Sequence, residues 1–442
     1  MKKIKSVLVA NRGEIAIRVF RACNEMGIKT VAVYSTADKN CLHVQLADKA
    51  VCIGPAPSAK SYLNRQALIT AALCTGCEAV HPGVGFLSEN AEFAREVEKA
   101  GLYWIGPKPD TIEMLGDKVK ARATAQKSGL PVTPGSANAV KTPKQGAEEA
   151  KKCGYPIIIK AASGGGGKGM RIVWKEKDLA ENLSIASAEA LSNFADGTVY
   201  IEKYLSDPRH VELQVIGDGT GGVAILGERD CSVQRNHQKL IEESPSQAVS
   251  DAMYDAMCAG AQKLFSTLKY CGAGTIEFLV SDDRFYFMEV NARVQVEHPV
   301  SEMVTDTDII REQITVCTGG KMTLPDGVLP IKGWAIEARI NARTPGVITN
   351  LRIPGGNGVR FDGFLYQGYK VVPFYDSMTA KLIVHGADRA QTIKKLLCAL
   401  DELRIEGIQT NIEEQKTILR SAQFQSGTFG TGLYAQLFEG EK

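Results

Sequence analysis

The stretch Phe285-Tyr-Phe-Met-Glu-Val-Asn-Ala-Arg-Val-Gln-Val-Glu-His298 alternates apolar and polar residues with the period of an extended strand. Its two faces are apolar Met288, Val290, Ala292, Val294 and Val296, and polar Glu289, Asn291, Arg293, Gln295 and Glu297. Residues 275–280 form a second strand-like run, and the turn-forming Ser281-Asp-Asp283 separates the two. The two runs therefore predict a β-hairpin in which Glu277 lies opposite Glu289.

This hairpin predicts a metal site. Facing carboxylates at Glu277 and Glu289, with Asn291 two residues further on, form an all-oxygen donor set that suits Mg²⁺ or Mn²⁺. Without a metal, the two carboxylates would repel each other across the strands. The alternative is a solvent-exposed sheet face, which alternates in the same way. The mixture of Glu, Asn, Arg and Gln in register favours a metal and anion site.

Length and composition restrict the class of protein. A chain of 442 residues is long enough for about three domains of ~150 residues each. Its 52 Lys and Arg nearly balance its 50 Asp and Glu, so neither nucleic acid nor a membrane surface is expected as a partner. No apolar run has the length of a signal-peptide core or a bilayer span, and the eleven scattered cysteines are typical of reduced thiols. These features predict a cytoplasmic protein.

Residues 5–105 alternate short apolar runs with helical segments, which predicts a doubly wound parallel sheet. The helical segments are 14–25 and 91–99. The predicted strands are 6–10, 30–34, 50–53, 79–80 and 103–105. The first turn, Ala10-Asn-Arg-Gly-Glu14, is not a Gly-x-Gly-x-x-Gly fingerprint, so a dinucleotide site is not expected here.

A second unit begins near Lys108 and contains a glycine-rich stretch, Ser163-Gly-Gly-Gly-Gly-Lys-Gly169, between two strand-like runs. It is not a Walker loop, because Lys168 is followed by Gly169. Four consecutive glycines let backbone N–H groups approach an anion closely, and the stretch is expected to be mobile until a ligand orders it. A plain flexible hairpin is the alternative, but Lys160 and Lys168 favour a phosphate cover.

A third unit follows about residue 330. Residues 334–340 alternate again, which places Glu337 and Arg339 on the face opposite Trp334 and Ile336. The two charged residues could form an ordinary surface ion pair. They could equally present the guanidinium of Arg339 to a carboxylate or ureido oxygen.

Taken together, the ordered motifs resemble those of biotin carboxylases, the ATP-grasp component of biotin-dependent carboxylases. The resemblance runs from about residue 4 to 437, and His298-Pro299 resembles the acetyl-CoA and acyl-CoA carboxylase branch more than the pyruvate carboxylase branch. The motifs are Asn11-Arg-Gly-Glu-Ile-Ala16, His81-Pro-Gly83, Gly85-Phe-Leu-Ser-Glu-Asn90, Gly116-Asp-Lys118, the 164–169 loop, Glu202-Lys-Tyr-Leu205, Pro208-Arg-His210, Glu228-Arg-Asp-Cys-Ser232, His237-Gln-Lys239 and Arg293-Val-Gln-Val-Glu-His-Pro299.

The resemblance implies an α/β fold of three domains. Residues 1–114 are expected to form an N-terminal doubly wound parallel sheet domain. Residues 115–328 are expected to form an ATP-grasp domain, with a mobile glycine-rich lid at about 133–204. Residues 329–442 are expected to form a C-terminal α+β domain.

The resemblance also implies roles in nucleotide binding. Glu202, Lys203, Tyr204 and Leu205 would read the adenine at the hinge, and Leu279 would pack under the ring. Lys118, Lys160, His237 and the lid glycines Gly166 and Gly167 would bind phosphates. His210 and Gln234 would hold the ribose side, and Glu277 and Glu289 would contact ATP through two Mg²⁺ or Mn²⁺ ions, with Asn291 as the third metal ligand.

A second set of residues would carry the carboxylation. Bicarbonate is a poor nucleophile and needs cationic anchors and a base. The resemblance implies that Lys239, Arg293, Gln295 and the backbone of Val296 form its pocket. Glu297 would be the general base, and Arg339 would stabilise the ureido enolate of biotin as a preorganised oxyanion donor.

The implied activity is ATP- and bicarbonate-dependent carboxylation of biotin on a biotin carboxyl carrier protein, through carboxyphosphate. The expected context is acetyl-CoA carboxylase and fatty acid biosynthesis, with carboxyltransferase subunits as partners and a homodimer as the assembly. The alternatives are another acyl-CoA carboxylase, a different ATP-grasp carboxylate ligase, or a non-catalytic homologue. The last is motivated by Val84, where the family usually has Tyr, and by a shortened segment after Asn341.

Overall fold

The computed structural model describes residues 4–136, 139–140, 142–161, 170–194 and 196–440. The glycine-rich stretch 162–169, which includes the predicted phosphate-binding Gly166 and Gly167, lies outside the described residues.

The N-terminal unit is a parallel sheet with helices between its strands, in the order β3-β2-β1-β4-β5. The doubly wound sheet is therefore confirmed, and each predicted strand and helix is found to within two residues. Its elements are β1 (Ser6–Val9), α1 (Gly13–Glu25), β2 (Lys29–Ser35), α2 (Leu42–Leu46), β3 (Lys49–Gly54), α3 (Arg65–Thr75), β4 (Ala79–His81), α4 (Ala91–Lys99), β5 (Tyr103–Trp104), α5 (Pro109–Gly116) and α6 (Lys118–Lys127).

A small antiparallel sheet follows, with strand order β7-β6-β8. The strand-like runs predicted on either side of 162–169 are confirmed, since β6 ends at Ala161 and β7 begins at Met170. The elements are α7 (Pro143–Cys153), β6 (Ile157–Ala161), β7 (Met170–Val173), α8 (Leu179–Phe194) and β8 (Val199–Lys203). This unit has a hydrophobic core of its own, built from residues such as Ile157, Ile159, Leu183 and Ile201.

The next elements carry most of the candidate site. They are β9 (Arg209–Asp218), β10 (Val223–Arg235), β11 (Gln238–Ser244), α9 (Asp251–Thr267), β12 (Cys271–Ser281), β13 (Arg284–Asn291), α10 (His298–Thr305), α11 (Ile309–Cys317) and β14 (Gly327–Val328).

The last elements are β15 (Trp334–Asn341), β16 (Gly346–Val347), β17 (Asn350–Arg352), β18 (Val359–Gly363), β19 (Lys370–Val371), β20 (Met378–Gly386), α12 (Arg389–Glu402), β21 (Arg404–Glu406), α13 (Ile412–Arg420), α14 (Ala422–Ser426) and α15 (Leu433–Phe438).

One continuous sheet joins the middle and last parts of the chain. Its order is β13-β12-β9-β10-β11-β15-β20-β18, and β14 pairs with β10. The contact of β11 with β15 is antiparallel and runs directly across the predicted boundary at 328/329. The division into three domains at 114 and 328 stays a prediction, since the sheet itself is not interrupted there.

The large sheet also shares a core with the N-terminal unit. Leu8 and Val33 of the parallel sheet belong to the same buried cluster as Leu213, Ile276 and Phe278 of the large sheet. All eleven cysteines are free thiols. Within the described residues, no helix combines the length and apolarity needed to cross a membrane.

Candidate active site

The predicted hairpin is confirmed as β12 and β13, with Glu277 paired to Glu289. Asp282 and Asp283 form its turn, and both have positive φ angles of 50° and 55°. Asp is among the residues that tolerate this left-handed conformation.

The prediction of one extended strand from 285 to 298 is wrong in two respects. A register shift lies between the Glu277 and Phe278 pairs, so the alternation changes phase near Met288, and Phe287 is the buried residue there instead. The strand also ends at Asn291, and α10 begins at His298. A bulge adds one residue to one strand and so shifts every later side chain to the other face.

The polar side chains of the stretch nevertheless converge on Glu277. The amide nitrogens of Asn291 and Gln295 each donate to Glu277 Oε1 at 2.7 Å. Gln295 reaches this oxygen from the segment between β13 and α10, not from a strand face. Glu277 is buried, so its charge has to be satisfied by protein donors of this kind.

Lys239, on β11, is the cationic centre of the cluster. Its Nζ lies 2.7 Å from Glu212 Oε2, 3.2 Å from Glu277 Oε1 and 2.5 Å from Glu297 Oε1. Three carboxylates from three separate segments therefore share one ammonium group, whose three donors match their number.

Arg339, on β15, binds the second carboxylate oxygen of Glu297. Its guanidinium donates to Glu297 Oε2 at 2.9 Å and to Glu242 Oε1 at 2.5 Å. The alternative of a surface ion pair between Arg339 and Glu337 is wrong, because Glu337 is fully buried and Arg339 is paired with carboxylates of other segments.

Arg293 lies at the end of the cluster that faces the N-terminal unit. Its Nε lies 2.9 Å from Glu89 Oε2, and its Nη2 donates to Asn291 Oδ1 at 2.9 Å. Glu89 also accepts from the backbone N–H of Ala292 at 3.1 Å. The Gly85–Asn90 motif was part of the resemblance, but no role had been predicted for Glu89.

Arg229 and Glu212 are two further charged residues of the cluster for which the sequence predicts no role. Arg229 of β10 is fully buried and donates to Glu212 at 2.7 Å, to Gln214 at 2.7 Å, to Ser301 at 2.9 Å and to Gln295 at 3.1 Å. The sequence offers little signal for Arg229, because it stands between Glu228 and Asp230 in a short charged run.

His210 and Gln234, which were predicted for the ribose side, form a chain that ends on Glu277. The Nε2 of His210 lies 2.8 Å from Glu277 Oε2, and the amide of Gln234 lies 2.7 Å from His210 Nδ1. Burial opposes a charge on the imidazole, but Glu277 raises the pKa of His210 above its usual value.

The two central carboxylates are ionised. Burial alone would favour the neutral acids, but Lys239 and Arg339 hold the pKa of Glu297 well below its usual value. Lys239 and His210 do the same for the pKa of Glu277. Because both pKa values are lowered by folding, their contribution to stability is present above the ordinary glutamate range and is lost as the pH falls through the lowered values.

The predicted nucleotide residues form a second group near the small sheet. Glu202 accepts from Lys160 at 2.6 Å and also pairs with Arg122. Lys203 donates to the backbone carbonyls of Gly154 at 3.0 Å and Tyr155 at 3.1 Å. These contacts tie the end of β8 to the strand and turn opposite it.

The other residues that are predicted to bind the nucleotide lie around this group or near the hairpin. Tyr204 meets Trp174 edge to face at a ring-centre distance of 5.7 Å. Lys118 lies 3.2 Å from Glu289, and it opens α6 because Asp117 caps that helix through the N–H groups of Val119 and Lys120. The others are Leu205 and Leu279, both half-buried, and His237, exposed in the turn before β11.

Val296 was predicted to contribute its backbone to the bicarbonate pocket. Its carbonyl accepts from Lys381 Nζ at 2.6 Å, and Lys381 is itself fully buried. The contact fixes the segment that carries Gln295 and Glu297.

The donor chemistry of Glu277, Glu289 and Asn291 fits a hard divalent cation. Two carboxylates face each other across β12 and β13, and Asn291 adds an amide oxygen at the end of the second strand. Within the described residues, a closer grouping is His210, Glu212 and Glu277, whose ligand atoms lie within 4.8 Å of one another. Cationic side chains contact the carboxylates of both groupings: Arg229 and Lys239 contact Glu212, Lys239 also contacts Glu277, and Lys118 contacts Glu289. The hairpin trio is favoured by its all-oxygen donor set, which suits Mg²⁺ or Mn²⁺.

Comparison with known proteins identifies the class. Three family models match in order: Biotin carboxylase, N-terminal domain, at residues 3–112; Carbamoyl-phosphate synthase L chain, ATP binding domain, at residues 117–324; and Biotin carboxylase C-terminal domain, at residues 337–436. The biotin carboxylase of Pseudomonas aeruginosa is 48% identical over 432 residues, which cover 96% of each chain.

Solved structures agree with the family models. The biotin carboxylase of Campylobacter jejuni, in a complex with β,γ-ATP, has a TM-score of 0.95 at 45% identity and covers 98% of this chain and 99% of its own. The biotin carboxylase domain dimer of the Hydrogenobacter thermophilus 2-oxoglutarate carboxylase, with MgADP, ADP and bicarbonate, has a TM-score of 0.94 at 40% identity. It covers 99% of this chain and 98% of its own.

A central ATP-binding domain with a carboxylate and cation cluster on its sheet defines an ATP-grasp ligase. The relatives that match along nearly the whole chain also identify the family within that class. The protein belongs to the biotin carboxylase family, ATP-dependent ligases that use ATP, Mg²⁺, bicarbonate and biotin. The family resemblance and the fold class predicted from the sequence are therefore confirmed.

Proposed function

We propose that the chain carboxylates biotin on a biotin carboxyl carrier protein, and that it supplies the first half-reaction of acetyl-CoA carboxylase. The observation that carries the carboxylation is the cluster in which Lys239 and Arg339 both bind Glu297. The observation that favours acetyl-CoA carboxylase is His298-Pro299, through its resemblance to that branch of the family.

In this proposal Lys239, Arg293 and Gln295, with the backbone of Val296, bind bicarbonate. Glu297 is a weak base while two cations hold its pKa well below the usual value. When a bicarbonate anion enters, it shares Lys239, so the hold of Lys239 on Glu297 weakens and the affinity of Glu297 for a proton rises. Glu297 then takes the bicarbonate proton as a bicarbonate oxygen attacks the γ-phosphorus of ATP, which forms carboxyphosphate and releases ADP.

Glu202, Lys203, Tyr204 and Leu205 bind the adenine in this proposal, with Leu279 beneath the ring. Lys118, Lys160 and His237 bind the phosphates, together with Gly166 and Gly167 of the glycine-rich loop. His210 and Gln234 hold the ribose side. Glu277, Glu289 and Asn291 hold two Mg²⁺ or Mn²⁺ ions, which when bound neutralise charge on the phosphates.

Arg339 has a second task in the proposal, which is to stabilise the ureido enolate of biotin. A guanidinium held by two carboxylates is fixed before the reaction begins, so it costs little reorganisation when charge develops. The proposed partners are the carrier protein, the carboxyltransferase subunits and a second copy of this chain. The dimeric state of the Hydrogenobacter thermophilus domain supports the homodimer.

The test is ATP hydrolysis with Mg²⁺ and bicarbonate, first without biotin, then with free biotin, then with a biotinylated carrier domain. We expect turnover that depends on bicarbonate and is stimulated by biotin. Hydrolysis that biotin does not stimulate would remove the acceptor from the proposal, and no hydrolysis would favour the non-catalytic homologue. Reconstitution with carboxyltransferase and either acetyl-CoA or 2-oxoglutarate distinguishes the complexes that the chain could serve, since one solved relative is a 2-oxoglutarate carboxylase domain.

Replacing Lys160 is expected to weaken nucleotide binding. Lys160→Gln removes a charged donor at the end of β6, and one hydrogen bond to a charged group contributes about 1.5–3 kcal/mol, so the Kd for ADP should rise roughly tenfold or more. Isothermal titration calorimetry measures this directly. The control is Lys152→Gln, an exposed lysine on α7 that pairs only with Glu149 among the described ion pairs. Equal ADP affinity in both variants would contradict the proposed phosphate contact.

A further inference from the structure

Behind Arg339 lies a pair of buried carboxylates to which the proposed function gives no role. Glu337 precedes Arg339 by two residues on β15, so the two side chains lie on the same face of the sheet. On the neighbouring strand β11, Glu242 is the residue paired with Glu337. Residues paired across antiparallel strands have Cβ atoms about 4.5–5.5 Å apart, so the two carboxyl groups face each other.

The pair is sealed from solvent and short of donors. Glu242 and Glu337 both have 0% exposure. Within the part of the chain that the structure describes, neither oxygen of Glu337 has a hydrogen-bond donor, and neither does Oε2 of Glu242. Only Oε1 of Glu242 has a partner, which is the guanidinium of Arg339. Two ionised carboxylates in such a place would lack compensation and repel each other.

The charged groups around the pair do not supply a second cation for Glu337. Lys239 of β11 is shared by three other carboxylates, and Arg339 lies against Glu242 and Glu297. Lys381 of β20 donates to the carbonyl of Val296 at 2.6 Å and lies 3.1 Å from Glu14. Asp362 of β18 is paired across the strands with Lys381, and its own carboxylate is bound by Arg360 of the same strand at 2.7 Å.

We propose that Glu242 and Glu337 hold one proton between them, with Glu337 the neutral acid, and that Glu337 is thereby a positioning residue for Arg339. The shared proton leaves one negative charge of the pair on Arg339. With Glu297, the guanidinium then has two anionic neighbours instead of three. The guanidinium of Arg339 therefore keeps more positive potential for a substrate oxyanion. Its hydrogen bond to Glu242 also remains when Glu297 takes up a proton.

The direction of the pKa values is consistent with this geometry. Burial raises the pKa of Glu242 to about 7, against the opposing effect of Arg339. Burial also raises the pKa of Glu337 well above its usual value, and Lys381 offsets only part of that rise. Because both pKa values are raised while that of Glu297 is lowered, the pair keeps a proton at a pH where Glu297 is ionised.

The first test does not depend on the proposed function. The infrared difference spectrum between the wild-type protein and Glu337→Gln, taken at neutral pH, should contain the carbonyl stretch of a protonated carboxylic acid, lost in the variant. Loss of a carboxylate band only would overturn the proposal. Because a neutral amide replaces a neutral acid of the same size, Glu337→Gln should fold. A variant that fails to fold while Glu337→Asp folds would overturn the proposal as well.

The second test rests on the proposed function, and it follows the pH profile of kcat/KM for biotin-dependent ATP cleavage. In Glu337→Gln the proton held by the pair is absent, and Glu242 is the one carboxyl group of the pair left to titrate, with no second carboxylate to repel its charge. The limb of the profile near neutral pH should move to lower pH by about one unit or more. Glu413→Gln, at an exposed position on α13, is the control and should leave the profile unchanged. A profile that does not move in Glu337→Gln would show a structural role only and overturn the positioning role.

Discussion

Replacing Glu297 by Gln is expected to reduce bicarbonate-dependent ATP cleavage by about 10²–10⁴-fold, the range that a positioned general base contributes. The carboxylate lies 2.5 Å from Lys239 and 2.9 Å from Arg339. An amide of the same shape keeps the packing but neither accepts the bicarbonate proton nor balances the two cations. Steady-state phosphate release at saturating ATP and bicarbonate measures the loss.

Two controls separate this effect from damage to the fold or to the nucleotide site. Glu243→Gln alters another buried carboxylate, which follows Glu242 on β11 and pairs with Arg389 outside the cluster. This variant should keep a rate of ATP cleavage within a few-fold of wild type. Calorimetric binding of ADP should be unchanged in Glu297→Gln, since the predicted adenine contacts lie near the small sheet. An unchanged rate of ATP cleavage in Glu297→Gln would show that the proposed base is wrong.

The hairpin shows how far local pattern predicts this site. The pairing of Glu277 with Glu289 follows from period two and a turn, and both are properties of consecutive residues. The bulge near Met288 and the end of the strand at Asn291 do not follow, because a one-residue insertion leaves no mark in the alternation itself. Gln295 was assigned to the right cluster for the wrong geometric reason.

The charges that complete the cluster depend on strand order, which no single stretch of sequence contains. Glu212 on β9, Arg229 on β10 and Glu242 on β11 become neighbours of Glu297 or its partners only because the sheet runs β9-β10-β11-β15. Each residue, seen alone, is a charged position in a β-rich run and more typical of a solvated face. Family resemblance supplied Lys239 and Arg339, since it carries information about three-dimensional neighbours that alternation lacks.

Loss of Arg229 should lower the free energy of unfolding strongly. Arg229 has 0% exposure, and its guanidinium donates to Glu212, Gln214, Gln295 and Ser301. Arg229→Met fills a similar volume but leaves Glu212 with Lys239 as its only remaining cation among the described residues. Removing one partner of a buried ion pair costs about 3–5 kcal/mol, so the free energy of unfolding should fall by about that amount.

Urea unfolding followed by circular dichroism measures this change, with Arg420→Met as the matched control, because the Arg420 side chain is 57% exposed and lies 3.8 Å from Asp401. The control should unfold at nearly the wild-type midpoint, since exposed ion pairs contribute little. If the Arg229 and Arg420 variants unfolded alike, Lys239 alone would be sufficient to compensate Glu212.

The double variant Arg229→Met with Glu212→Gln tests the physical reason for the loss of stability. Removing both charges should recover much of the lost stability, because the penalty of the single variant comes from the carboxylate left behind and not from the absence of the guanidinium.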